Sequence, residues 1–214
     1  MIRCMRLTWF LPVLLMIAGR AAAAPSLTDT VAIGPHPVAA AAERSTHRVY
    51  VADVELGAVV VFDGARGTIA GSINVGGQPS SLAIDNAGHR VFVGNRDVVG
   101  PAVSVIDAAS GRAQSFLPQG SRVRGIAFDD TINRLYVGDP DGQALLLVDG
   151  ASGQVTGHMP LGGPPVAVAV NPQDGEVGVA AQGPAPALVL FDPNSQTMSS
   201  VTVPITDGQP VQLA

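Results

Sequence analysis

The chain has 214 residues, 12 basic and 17 acidic, and a formal net charge of −5. Such a surface repels phosphate backbones and argues against nucleic-acid binding. It contains no lysine, which excludes Schiff-base chemistry and a lysine general base, and a single cysteine, Cys4.

At the N-terminus Arg3 and Arg6 precede an apolar run from Leu7 to Gly19, interrupted by Pro12, and the small residues "RAAAAP" follow. That order is the charged region, apolar region and small-residue exit of a secretory signal. The run is too short to span a bilayer comfortably, although an uncleaved anchor is the alternative. The expectation is a signal peptide over residues 1–23, cleavage after Ala23, a periplasmic or secreted protein, and no membrane insertion afterwards. Cleavage removes Arg3, Arg6 and Arg20, which leaves nine basic against 17 acidic residues and a net charge near −8. Cys4 leaves as well. The mature chain then has no disulfide and no thiolate for metal or catalysis, in a compartment that permits disulfides. Core burial alone has to drive folding.

Beyond the signal the chain repeats itself. Ala41, Ala83, Ala127, Ala169 and Ala214 stand in equivalent stretches at steps of 42, 44, 42 and 45 residues. Asp63, Asp107, Asp149 and Asp192 end equivalent apolar runs at steps of 44, 42 and 43. Each unit starts with a Gly/Pro turn ("GPHP", "GGQP", "GSRV", "GGPP") and a short apolar stretch such as "SSLAID". A polar turn follows, then an alternating stretch: "RVYVAD" (48–53), "RVFVGN" (90–95) or "RLYVGD" (134–139). Next come "AVVVFD", "AVSVID", "ALLLVD" or "ALVLFD", a tight turn, and a last stretch such as "TIAGSINVG". These are four β-branched-rich strands per unit, bounded by turn formers, with no sustained helical period. A unit of about 43 residues with four antiparallel strands is the size of a propeller blade. The expected fold is therefore all-β, a β-propeller of four-stranded antiparallel blades. Units are expected over about 35–76, 77–120, 121–162 and 163–208, with the start of a fifth at 209–214. A β-sandwich is the alternative, but it would lack the echo.

The units resemble the YVTN β-propeller repeat family through "HPVAAAAE…HRVYVAD…VVVFD…INVG", "QPSSLAID…HRVFVGN…VSVID" and "RGIAFD…NRLYVGD…LLLVD…MPLG". The fourth unit departs from the pattern, with Gly178 where the aromatic stands in the others. The resemblance runs over roughly residues 27–214 and implies the β-propeller fold; it does not choose a function. "LTDTVAIG" (27–34) reads as a lone fourth strand and "GQPVQLA" (208–214) as a lone first strand, so about four full blades and unpaired terminal strands form a partial ring. Family members are seven-bladed, which at this repeat length needs about 300 residues. The expectation is a fragment of a longer propeller. Four blades closing on themselves, or two copies completing each other by self-association through open blade edges, are the alternatives.

Chemistry-bearing residues are few. His47 and His89 share a turn slot with Asn133 and Gly175, which reads as turn duty. His36 lies between a fourth and a first strand, where connections ring one mouth of a propeller channel. Arg122 and Arg124 fall in the corresponding loop of a later unit, able to grip a carboxylate or phosphate or simply to balance nearby acids. Asp53, Asn95 and Asp139 end second strands whose loops reach the same mouth. Candidate ligand-binding residues are thus His36, Asp53, Asn95, Arg122 and Asp139, each also explicable as a polar loop or turn residue. The aspartates ending third strands are explained by Asx turns. No calcium-loop, nucleophile-elbow, HExxH or P-loop pattern occurs, so no catalytic residue, metal or cofactor is expected. Trp9, the one tryptophan, lies in the signal, which argues against quinone-cofactor propellers and stacking sites for sugars or bases. The leading functional reading is a non-catalytic scaffold that binds a protein or small ligand through a mouth or rim. A lactonase-like hydrolase or lyase with a metal or histidine site at the mouth is the alternative, and a non-functional gene fragment a third.

Overall fold

The structure is a computed structural model, and it describes residues 30–97, 99–117, 122–183 and 187–202. The expected signal segment 1–23, the stretch 27–29 and the expected fifth-unit start at 209–214 lie outside these residues; residues 30–36 are not in a strand. The chain divides into two units, Met1–Val31 and Ala32–Ala214, and all the strands described belong to the second.

The first sheet holds β1 (Pro37–Glu43), β2 (Arg48–Asp53), β3 (Ala58–Asp63) and β4 (Thr68–Asn74). The second holds β5 (Pro79–Asp85), β6 (Arg90–Asn95), β7 (Val103–Asp107) and β8 (Arg112–Leu117). The third holds β9 (Ile126–Asp129), β10 (Arg134–Asp139), β11 (Ala144–Asp149) and β12 (Val155–Pro160). The fourth holds β13 (Pro165–Val170), β14 (Val177–Ala181), β15 (Ala187–Asp192) and β16 (Thr197–Thr202). Every sheet is an antiparallel meander in chain order, so the fold is all-β and built of four-stranded blades as the repeat requires. No helix occurs among the described residues. β1 packs on β5, β5 on β9, and β9 on β13; no comparable packing joins β13 to β1 among the described residues. First strands are innermost, and β4, β8 and β12 lie outward and largely exposed.

Side chains alternate along each strand, so every blade presents two faces, and the cores lie between blades. Tyr50, Val59 and Val61 of the first sheet meet Val91, Val93 and Ile106 of the second. Phe92, Val103 and Val105 meet Leu135, Val137 and Val148. Tyr136 and Leu145 meet Val177, Val179 and Phe191. Phe92 lies 5.0 Å from both Phe116 and Phe128, and Tyr136 sits edge-on to Phe191 at 6.4 Å. The repeating alanine now has a cause. Ala41 pairs with Tyr50, Ala83 with Phe92 and Ala127 with Tyr136, so the smallest side chain lies beside the largest on one face. In the fourth sheet Ala169 pairs with Gly178, and the ring is gone.

The shared turn slot is also explained. His47, His89, Asn133 and Gly175 have φ of 57°, 52°, 50° and 77°, the left-handed region that Asn, His and Gly enter more readily than most residues. The aspartates ending third strands cap their hairpins: Asp63 Oδ1 accepts from the Ala65 and Arg66 amides, Asp149 Oδ1 from those of Ala151 and Ser152. At this end of the blades, polar side chains clasp neighbours. Arg48 Nη1 donates to the Ala108 carbonyl (2.7 Å), and Arg90 Nη1 donates to the equivalent Gly150 carbonyl in the next pair of blades. Arg90 also donates to Asp85 and Asn133 and lies over the Phe92 ring at 5.1 Å.

Candidate functional site: the cleft at the strand-exit mouth

At the opposite end of the blades, the connections between fourth and first strands meet the loops after second strands. The junction has a repeated backbone bridge. Val54 N–H donates to the His36 carbonyl (3.1 Å), Arg96 N–H to that of Gln78 (2.9 Å) and Gln182 N–H to that of Pro164 (2.9 Å). Pro140 occupies the donor position in the third blade and has no N–H to give. There the entry segment runs differently. Val123 N–H donates to the Asn95 carbonyl of the second blade (2.8 Å), and Ser80 Oγ donates to the Val123 carbonyl (2.9 Å). Val123 is 1% exposed. Its neighbours Arg122 and Arg124 are exposed. Gly125, at φ 75°, lets the chain turn into β9, whose four residues make it shorter than β1, β5 and β13.

Three of the five residues expected to bind a ligand serve the loops themselves. Asp53 is fully buried; its Oδ1 accepts from the Glu55 and Leu56 amides and its Oδ2 from the His36 amide. Burial pushes its carboxyl up, but these amides outweigh that and hold it below the ordinary aspartate range. Asp139 Oδ1 accepts from the Asp141 and Gly142 amides. Asn95 is fully buried, and its amide donates to the Pro101 carbonyl and Ser104 Oγ, bracing the loop that contains Arg96 and Asp97. His36 and Arg122 are exposed, and His36 Nδ1 lies 2.6 Å from Glu55 Oε2. Of the five, His36 and Asp53 meet through the His36 amide, and Arg122 lines a cleft whose described lining includes none of the other four. Among the described residues no group of three or more His, Cys, Asp or Glu is placed to hold a metal ion.

The mouth instead gathers arginines. A cleft of about 440 Å³ between the second and third blades is lined by Gln78, Arg96, Asp97, Val99, Arg122 and Arg124. Arg96 Nε donates to Gln78 Oε1 at 3.4 Å, and the Arg122 amide to Asp141 Oδ2 at 3.4 Å. Among the described residues none of the three guanidinium groups forms an ion pair. Arg122 and Arg124 were visible in the sequence as a basic pair in a mouth loop. For Arg96 the only sequence signal is that it stands where equivalent units have Val54, Pro140 and Gln182, and Gln78 carries none.

No protein-family model matches the chain, and no curated protein sequence matches it. Solved structures do. The Kuenenia stuttgartiensis hydrazine synthase superposes with a TM-score of 0.69 at 15% identity, over 84% of this chain and 53% of that one. A chain of a nidogen/laminin complex gives 0.63 at 16% identity, over 78% and 65%. The RRP9 WD40 repeats give 0.65 at 13% identity, over 79% and 53%. The chain thus spans between 53% and 65% of these structures' lengths. At such identities the likeness establishes the fold, a β-propeller of four-stranded antiparallel blades, and leaves function to the residues.

Proposed function

We propose that this chain is an exported β-propeller of the YVTN type that serves as a non-catalytic scaffold, engaging a protein or small ligand through its strand-exit mouth. One observation supports the reading above the others. The exposed arginines at the mouth form no ion pair among the described residues and come from loops of two blades that the backbone holds in register, whereas Arg48 and Arg90 at the opposite end are used to join blades. Rigid strands that present loops from several repeats are a common way to build a binding surface.

The test compares the two ends. The full chain is expressed with its N-terminal segment, the exported form is immobilised, and captured material is compared with a His36→Ala/Arg122→Ala variant and an Asn86→Ala/Arg112→Ala variant. A partner that the mouth variant loses and the opposite-end variant keeps is the expected result. Retention by the mouth variant with loss by the other would transfer the function to the opposite end. Mass analysis of the exported form should give a chain beginning at Ala24; an intact N-terminus would replace the cleaved signal with the uncleaved anchor, and retention of the chain in the cytoplasm would remove the exported part of the reading.

A further inference from the structure

The geometry points to a more specific occupant: we infer that the Arg96–Arg122–Arg124 cleft binds a small, multiply charged oxyanion bearing carboxylate or phosphate groups. This rests on reading the mouth as the binding face. The argument starts at Val123. Its amide and carbonyl are both tied to the second blade, and its side chain is 1% exposed, so the segment around it is pinned. Arg122 and Arg124 flank it and are both exposed, and the Arg124 N–H donates to the Gly138 carbonyl of the third blade (3.0 Å), which fixes the segment from the other side as well. Arg122 and Arg124 therefore leave the pinned segment as a pair and line one wall of the cleft. Arg96 supplies the facing wall from a loop that the buried Asn95 amide braces through Pro101 and Ser104, and Gln78 Oε1 orients the Arg96 Nε–H.

The charge balance favours an anion. Among the described lining residues three guanidinium groups meet one carboxylate, that of Asp97, with the Asp141 carboxylate beside the Arg122 amide, in a chain whose formal charge is −5. Guanidinium forks match carboxylate and phosphate oxygens with paired hydrogen bonds, and such charge-assisted bonds are stronger than neutral ones. Three forks suit a ligand with more than one negative charge, because a monoanion satisfies one fork and leaves the others repelling each other. The cleft volume of about 440 Å³ lies in the range of small-molecule sites. Because these arginines are exposed, the affinity falls with ionic strength.

The test is calorimetric titration of the exported chain at fixed ionic strength with citrate, pyrophosphate, inorganic phosphate and chloride. Saturable binding of citrate or pyrophosphate, and not of chloride, is expected; the tighter of the two assigns the site to carboxylate or phosphate chemistry. Arg124→Gln and Arg96→Gln should each weaken that binding roughly tenfold or more, the loss of at least one charge-assisted hydrogen bond. Arg112→Gln, at the other end of its blade, should leave it unchanged. Arg124→Lys, which keeps the charge and loses the fork, should weaken it by a smaller factor, and it supplies the answer if Arg124→Gln does not fold. Absence of saturable binding, or equal binding by wild type and the cleft variants, overturns the inference. A partner captured through His36 without any anion dependence would preserve the scaffold reading while sinking this one.

Discussion

His89 Nδ1 of the second blade lies 2.8 Å from Glu43 Oε1 of the first, and Glu43 is 1% exposed while the His89 side chain is 53% exposed. Glu43 ends an inner strand, and its second oxygen accepts from Thr46 Oγ1 at 2.6 Å and from Tyr50 Oη at 3.4 Å. A carboxylate buried at a blade junction is tolerated because four side chains satisfy it, Ser45 being the fourth. One of those four comes from the next blade, so the arrangement couples the two.

Acid should weaken that junction. Burial pushes the Glu43 carboxyl up, but hydrogen bonds from Thr46, His89 and Ser45 outweigh burial and hold it below the ordinary value of 4.5. A carboxyl lowered in the folded state adds stability above its unfolded pKa and loses it as pH falls through the folded one. Wild type should therefore exceed Glu43→Gln in urea midpoint at pH 7, and the gap should close as pH drops well below 4.5. A gap that stays constant from pH 7 to pH 3 would refute the assignment.

Arg90 should be among the costliest polar losses. Its side chain bonds the Gly150 carbonyl and Asn133 of the third blade and the 4%-exposed Asp85 of its own. Removing it strands a buried carboxylate, an effect of about 3–5 kcal/mol for buried pairs and somewhat less here because Arg90 is partly exposed. Equilibrium unfolding of Arg90→Ala should show a loss above about 2 kcal/mol. Arg112→Ala, on the exposed β8, should stay within roughly half a kcal/mol.

The left-handed slot predicts a reversal of the usual ranking. At His47, exposed and at φ 57°, His47→Gly should be neutral or stabilising, and His47→Val should cost about 1–2 kcal/mol in denaturant melts. His89→Gly should instead destabilise despite φ 52°, since it deletes the contact to Glu43.

Gly125 brings the backbone of the third blade close against that of the fourth. A Cβ there would lie 2.7 Å from Val168 N and 2.9 Å from Ala167 Cα, backbone atoms that cannot swing aside. Gly125→Ala should lower the unfolding free energy by at least the cost of Gly71→Ala plus about 1 kcal/mol, because an added Cβ at Gly71 meets nothing within 4 Å.

Much of the architecture could be read from spacing. Strand order, blade count and the hairpin caps follow from local chemistry: alternation sets each strand's faces, and Asp63 or Asp149 can bond only amides a few residues away. The site is less legible in the sequence for a related reason. Asp53, Asn95 and Asp139 look like ligands because they are polar and end strands, but whether such a group faces solvent or its own turn depends on burial. The structure turns all three inward.

From the sequence alone came the repeat, the antiparallel four-stranded unit, the turn slot shared by two histidines, an asparagine and a glycine, and the basic pair at 122 and 124. All of these are consequences of short-range sterics and hydrogen bonding. Only the tertiary structure decided that Ala41 is small because Tyr50 lies beside it, that Glu43 answers to a histidine 46 residues away, and that Arg96 joins Arg122 and Arg124 at one cleft. Those relations exist only once whole blades pack, since each depends on which residue of one repeat faces which residue of another.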